Sequence, residues 1–147
     1  MKKIKNERGQ SLVELSISLV LLLLLLSGAV EFGMAFFQFV QLRDAVQEGA
    51  LFGSMNPTDS AGIIARVQGA SNSPIKLSTL AAPTIKIILP DGSVSADPDD
   101  MCEGNGIQVK LTYDHPVFMP FMSAVVGPTI PLNATVTDTI LSPVCGP

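Results

Sequence analysis

Gly9 and Glu14 are the residues whose types and spacing most plainly carry chemistry. Gly9 has no side chain, so the backbone beside it is open to a protease. A cut between Gly9 and Gln10 would place a new α-ammonium on Gln10. Glu14, the fifth residue after Gly9, starts a stretch with no further charge until Glu31. A carboxylate at the start of an apolar segment is costly unless paired, and the Glu14 of one subunit could neutralise the Gln10 ammonium of its neighbour. Alone, a Gly followed five residues later by Glu means little, because an acid near a helix N-terminus is favoured by the macrodipole anyway. The setting makes it informative: Lys2, Lys3, Lys5 and Arg8 precede it, and six consecutive leucines, Leu21 to Leu26, follow.

The remaining chemistry-bearing residues are less pointed. Cys102 and Cys145 read first as a disulfide, since thiols oxidise outside the cytosol. That bond would close a loop of about 44 residues, worth about 4 kcal/mol by chain entropy; free or intermolecular thiols are the alternative. Asp97, Asp99, Asp100 and Glu103 offer oxygen ligands of the kind calcium takes, but their spacing is not that of an EF-hand loop, and a solvated acidic turn is the plainer reading. His115 is the sole histidine, reads as a loop residue before Pro116, and has no nucleophile beside it in sequence. No Cys/His cluster, phosphate-binding Gly-rich loop or nucleophile elbow occurs. The expectation is no catalytic residue, no metal and no cofactor, hence no enzyme.

Charge is divided unevenly. Residues 1–9 carry four basic groups against Glu7, while the rest of the chain carries five basic and twelve acidic groups. A body with net charge −7 lacks the cationic surface that nucleic acid requires, so membrane lipid is the partner the basic leader and apolar run select. Eleven Leu, Ile or Val residues lie in Leu15–Val30; together they favour insertion by about 3–7 kcal/mol. Sixteen helical residues rise only about 24 Å, and including Gln10–Val13 brings the span to the ~30 Å hydrocarbon core. The positive-inside rule keeps the leader cytoplasmic. A single-pass protein with an extracytoplasmic C-terminal domain results. A secretory signal peptide competes, with Ser27-Gly28-Ala29 as its cleavage site, but the apolar region exceeds the usual length and Glu14 intrudes on it. Glu31 lies about 25 Å along the axis from Glu14, near the outer interface, where it reads as a solvated carboxylate or as a contact to an assembly partner.

These residues need a long helix to position them. No proline occurs between Met1 and Pro57, and Ala35, Phe39, Leu42, Val46 and Gly49 recur at helical spacing, with Gln38, Gln41, Asp44 and Glu48 mostly opposite. One helix over residues 10–55 is expected, apolar all round in its first half and amphipathic in its second, the stripe packing on the chain's own domain. The organisation is a leader over 1–9, the helix, and an α+β domain over 56–147. Asn56-Pro57 ends the helix, and a residue among Thr58–Ser60 caps a short turn through Ile63 and Val67. Period-two alternation then marks strands at Thr84–Leu89 and Ile107–Tyr113, with a third at Asn133–Leu141. A small antiparallel sheet of three or four strands follows. Between the last two lies an unusually apolar connection from His115 to Met122 that packs as a short helix or on the sheet.

Arg8-Gly9-Gln10-Ser11-Leu12-Val13-Glu14 after a basic leader resembles the signal of type IV prepilins. With Glu31-Phe32-Gly33 and Gln41–Ala50, it resembles the TadE-like family, pseudopilins of the tight-adherence (Flp-type) pilus. Val109–Tyr113, Pro116–Val126 and Leu132–Ile140 are similar to that family's ending. The resemblance implies a pilin-like fold and cleavage after Gly9 by a membrane prepilin peptidase. It also implies pilus assembly with other pilin subunits and their machinery, and incorporation into an extracellular pilus. Gln10 departs from the N-terminal Phe of many type IV pilins. The reading from a different class is a permanently membrane-anchored extracytoplasmic binding module.

Overall fold

A computed structural model describes residues 8–142, with side chains from Gly9 onward. The elements are α1 (Arg8–Met55), α2 (Ser60–Gly69), β1 (Thr84–Ile88), β2 (Val94–Ser95), β3 (Gly106–Pro116), α3 (Ser123–Val126) and β4 (Thr129–Thr139). Four strands form one sheet in the order β2-β1-β3-β4. The α+β class and the antiparallel sheet are as expected. The helix, expected over residues 10–55, starts two residues earlier and runs unbroken for 48. It stops where Pro57 cannot continue it, after a last backbone bond from Asn56 N–H to the Phe52 carbonyl of 3.0 Å.

The chain divides into two compact units. One joins the helix up to Met34 to the connection Pro116–Ile130, and the other comprises Ala35–His115 and the chain from Pro131 onward.

In the second unit, the amphipathic half of α1 builds the core. Leu42, Ala45, Val46 and Ala50 are buried against Ile63 and Val67 of α2, Ile75, Leu77, and Ile87, Ile107, Val109, Leu111, Ala134 and Ile140 from the sheet and its edge. Each large aliphatic contributes about 1.5–3 kcal/mol by leaving water. Gly49 lets α2 approach α1: a Cβ there would lie 2.3 Å from Val67 Cγ2. Asp59 caps α2, its Oδ1 accepting from Gly62 N–H at 2.8 Å, as one of the residues expected to do so. Along β3, Ile107, Val109 and Leu111 face the core while Lys110 is exposed, the alternation of a half-buried strand. The β1–β3 register sets Ile87 opposite Ile107 and Ile85 opposite Val109. Gln108 donates to Thr137 Oγ1 at 3.2 Å and Thr112 to Asn133 Oδ1 at 2.8 Å, so β4 runs antiparallel to β3. The sheet therefore reads as alternating apolar and polar rows.

The first unit looks different. Leu12 through Leu26 are exposed on every side of α1, and the helix is long and apolar enough there to cross a membrane. Within the same unit, Val117 N–H donates to the Pro128 carbonyl at 3.0 Å, closing the connection that contains α3.

Candidate functional site

Gly9, Gln10 and Glu14 all lie exposed on the first turns of α1. Nothing lies within 4 Å of where a Cβ of Gly9 would sit. Neither packing nor backbone conformation calls for glycine there, although glycine costs a helix about 1 kcal/mol relative to alanine. Gln10 Nε2 donates to Glu14 Oε1 at 3.3 Å, one turn along the helix. This bond is exposed and long. Farther along, Ser16 Oγ donates to the Leu12 carbonyl at 2.8 Å, so its hydroxyl is satisfied within the apolar helix. The arrangement leaves the backbone at Gly9 uncovered and the Glu14 carboxylate accessible.

Glu31 is not solvated. Its side chain is 2% exposed, and its carboxylate accepts from Phe118 N–H at 3.2 Å and from Met119 N–H at 2.8 Å. Its own chain supplies these partners because the Pro116–Ile130 connection folds back onto the helix. One turn before, Met122 covers Gly28: a Cβ there would lie 3.7 Å from the Met122 thioether methyl.

Two polar residues fall elsewhere than expected. Gln38, assigned from sequence to the polar side, is buried, and its Oε1 lies 2.5 Å from His115 Nδ1. With a carbonyl oxygen as acceptor, Nδ1 carries the proton. His115 is not in a loop but near the end of β3, fully buried. A signal was present, since Gln38 keeps the three-and-four spacing of Ala35 and Leu42. Phe39, chosen for that stripe instead, is only half-buried.

The acidic turn spends its oxygens locally. Asp97 Oδ1 accepts from Asp99 N–H at 3.0 Å, and Asp100 Oδ2 accepts from the Ser95 hydroxyl at 2.5 Å. Among the described residues no group of three or more His, Cys, Asp or Glu side chains gathers to hold a metal ion. Cys102 is buried and is not a free thiol; Cys145 lies outside the described residues. The turn after Cys102 is tied to the end of the sheet, Gly104 N–H donating to the Ile140 carbonyl at 3.1 Å and Ile140 N–H to that of Asn105 at 2.8 Å.

Residues 9–51 match the sequence profile of the TadE-like protein family. Over that stretch the chain is similar to TadE-like proteins. The match begins at Gly9 and ends near the close of α1, so it covers both the exposed and the core-facing halves of the TadE-like helix. It does not reach Val109–Ile140, the region expected from sequence to be similar to the family's ending. The family is associated with pilus structure, and nothing in the match assigns catalysis. No characterised protein and no solved structure gives a significant match to the chain.

Proposed function

We propose that this chain is a membrane-anchored pseudopilin or minor pilin of a tight-adherence pilus, cut after Gly9 by a prepilin peptidase. The observation that carries the reading is a TadE-like match that starts at Gly9, a glycine with no packing role. Exposed leucines around the following helix support its residence in lipid before assembly and against neighbouring helices afterwards. The leader stays cytoplasmic and the sheet is extracytoplasmic. The subunit's partners are the peptidase, other pilin subunits and the assembly machinery, and membrane lipid. Cleavage exposes the Gln10 ammonium; Glu14 of an adjacent subunit neutralises it and sets the axial register.

N-terminal sequencing of the mature protein tests the cleavage. A start at Gln10 supports it, whereas a start at Val30 would mean signal-peptide removal and the loss of the whole anchor. Glu14→Ala then separates processing from assembly: cleavage should proceed while incorporation into pili is lost. Normal pili from that variant would remove the register role.

The same reading pairs Cys102 with Cys145. Ile140, bonded to the turn after Cys102, stands five residues before Cys145, so the remaining chain is long enough to return to it. Non-reducing peptide mapping should find the two linked; recovery of both as alkylated thiols removes the pairing.

A further inference from the structure

The connection between β3 and β4 has a property that the pilin reading does not use. Residues 116–130 contain no charged side chain, yet Phe121 is 77% exposed and Val125 68%, with Val126 also exposed. Connections between strands usually present polar residues to water, and clustered apolar exposure marks a contact surface. Phe121 also adopts φ +65°, a conformation costly for a bulky residue and maintained only where surrounding structure enforces it. Here Met122 N–H donates to the Met119 carbonyl at 3.3 Å and Ala124 N–H to that of Phe121 at 3.3 Å. These bonds close a turn on which the ring stands exposed.

Its position along the helix identifies what it meets. From Gln10 to Val30 the helix rises about 31 Å, the thickness of a hydrocarbon core, which puts Gly28 and Glu31 at the boundary far from the leader. Those are the residues that Met122 covers and that bond to the amides of Phe118 and Met119. The charge-free connection therefore starts where the lipid-facing surface of the helix ends, and continues that apolar surface sideways. Glu31 fixes it there: its carboxylate is buried and accepts hydrogen bonds from the two backbone amides of Phe118 and Met119.

We propose that the 117–126 connection is a second, shallow membrane anchor, inserting Phe121, Val125 and Val126 into the lipid at the extracytoplasmic boundary, with Glu31 as the latch that holds it against the helix. The inference rests on the membrane-anchored reading above. Its occupant is the acyl chain region just below the headgroups, in keeping with an apolar face that reaches only a few ångströms into a bilayer. A surface so held adds a second grip on lipid while the subunit waits in the membrane, and withdrawing it is a step that extraction into a filament must include.

The chain contains no tryptophan, so single substitutions report depth directly. The full-length chain is reconstituted in phosphatidylcholine–phosphatidylglycerol vesicles carrying bromine at shallow or deep acyl positions. Phe121→Trp should emit at shorter wavelength than Val94→Trp, an exposed site on β2, and should be quenched by shallow bromines at every protein-to-lipid ratio. Adding Glu31→Gln should return its emission and quenching toward those of Val94→Trp. Leu23→Trp, in mid-span, should be quenched by deep bromines. If the Leu23→Trp variant is quenched but the Phe121→Trp variant is not, the second anchor is wrong and the membrane helix stands. Quenching of Phe121→Trp that is absent in lipid-rich vesicles, with a blue shift appearing only at high protein density, would assign the surface to a second copy of the chain and overturn the lipid proposal. If Leu23→Trp is not quenched, both readings fall.

Discussion

From Leu12 to Leu26 the side chains of α1 stand exposed all round, while from Ala35 to Ala50 one stripe of the same helix is buried and the rest is not. Backbone geometry is common to both stretches; the difference is the pattern of residue types. Fourteen residues of mixed polarity between Leu42 and Met55 present an apolar stripe that a small sheet can cover, whereas unbroken leucine presents apolar surface in every direction, more than one such sheet can cover. The amphipathic half therefore supplies the stability of the folded unit, and the uniformly apolar half is left available to lipid and to other helices. Gly9 and Gly49 repeat the contrast on the scale of one residue. At Gly49 a methyl group would run into Val67, and at Gly9 it would meet open space. One glycine serves the fold, and the other is free to serve a reader outside it.

Substitutions that treat the two halves alike should therefore give unlike results. The largest difference is expected between Leu42→Ala and Leu23→Ala. Emptying the Leu42 site should cost the folded unit about 2–5 kcal/mol, seen as a lower thermal midpoint of the full-length chain in detergent micelles, while Leu23→Ala should leave that midpoint where it is. Equal losses would mean the exposed half contributes to the core after all. Next comes the glycine pair. Gly49→Ala should destabilise by about 1–3 kcal/mol through overpacking, because the β-branched Val67 has little rotamer freedom with which to yield. Gly9→Ala should leave the same transition unchanged, and any effect it has should appear in the rate of leader removal, followed by mobility on a gel.

A smaller effect is expected at the polar contact inside the amphipathic half. Gln38→Leu removes the acceptor of His115 Nδ1 and should cost about 0.5–1.5 kcal/mol, against little change for the exposed Gln47→Leu. The smallest concerns the β1–β2 turn. Hydrogen bonds from the Ser93 side chain, and then from its backbone N–H, hold the Asp91 carboxyl below its usual range. Because the folded form is the more acidic, this contribution is present above the unfolded carboxylate value of about 4 and fades as pH falls through the folded one. Asp91→Asn should therefore lower stability slightly near neutrality, where the ionised carboxylate contributes, and leave it unchanged at pH values below the folded one, flattening the acid limb of a stability–pH profile; a loss as large at the acid end as at pH 7 would disprove the attribution.

Local, periodic signals are the most readable part of the chain: the proline-free run that makes α1, the Asn56-Pro57 stop, the Asp59 cap, and the alternation of Ile107, Val109 and Leu111. β2 is not legible as a separate strand, since two residues, Val94 and Ser95, are too few for alternation to show. Gln38 is misread because its side chain argues for solvent while its spacing argues for the core; spacing prevails once His115 arrives from 77 residues away to satisfy it.

The sequence by itself determined the basic N-terminal stretch, Gly9, Glu14 and the apolar helix, all features whose meaning lies within a few turns of one another. Tertiary structure alone decided the fate of Glu31 and of the connection that reaches it. Eighty-seven residues separate Glu31 from Phe118, and no periodicity links a carboxylate on one element to two amides on another. Backbone N–H groups look identical in every sequence, so which of them meet a buried acidic side chain emerges only when the strands have folded and returned the chain to the helix.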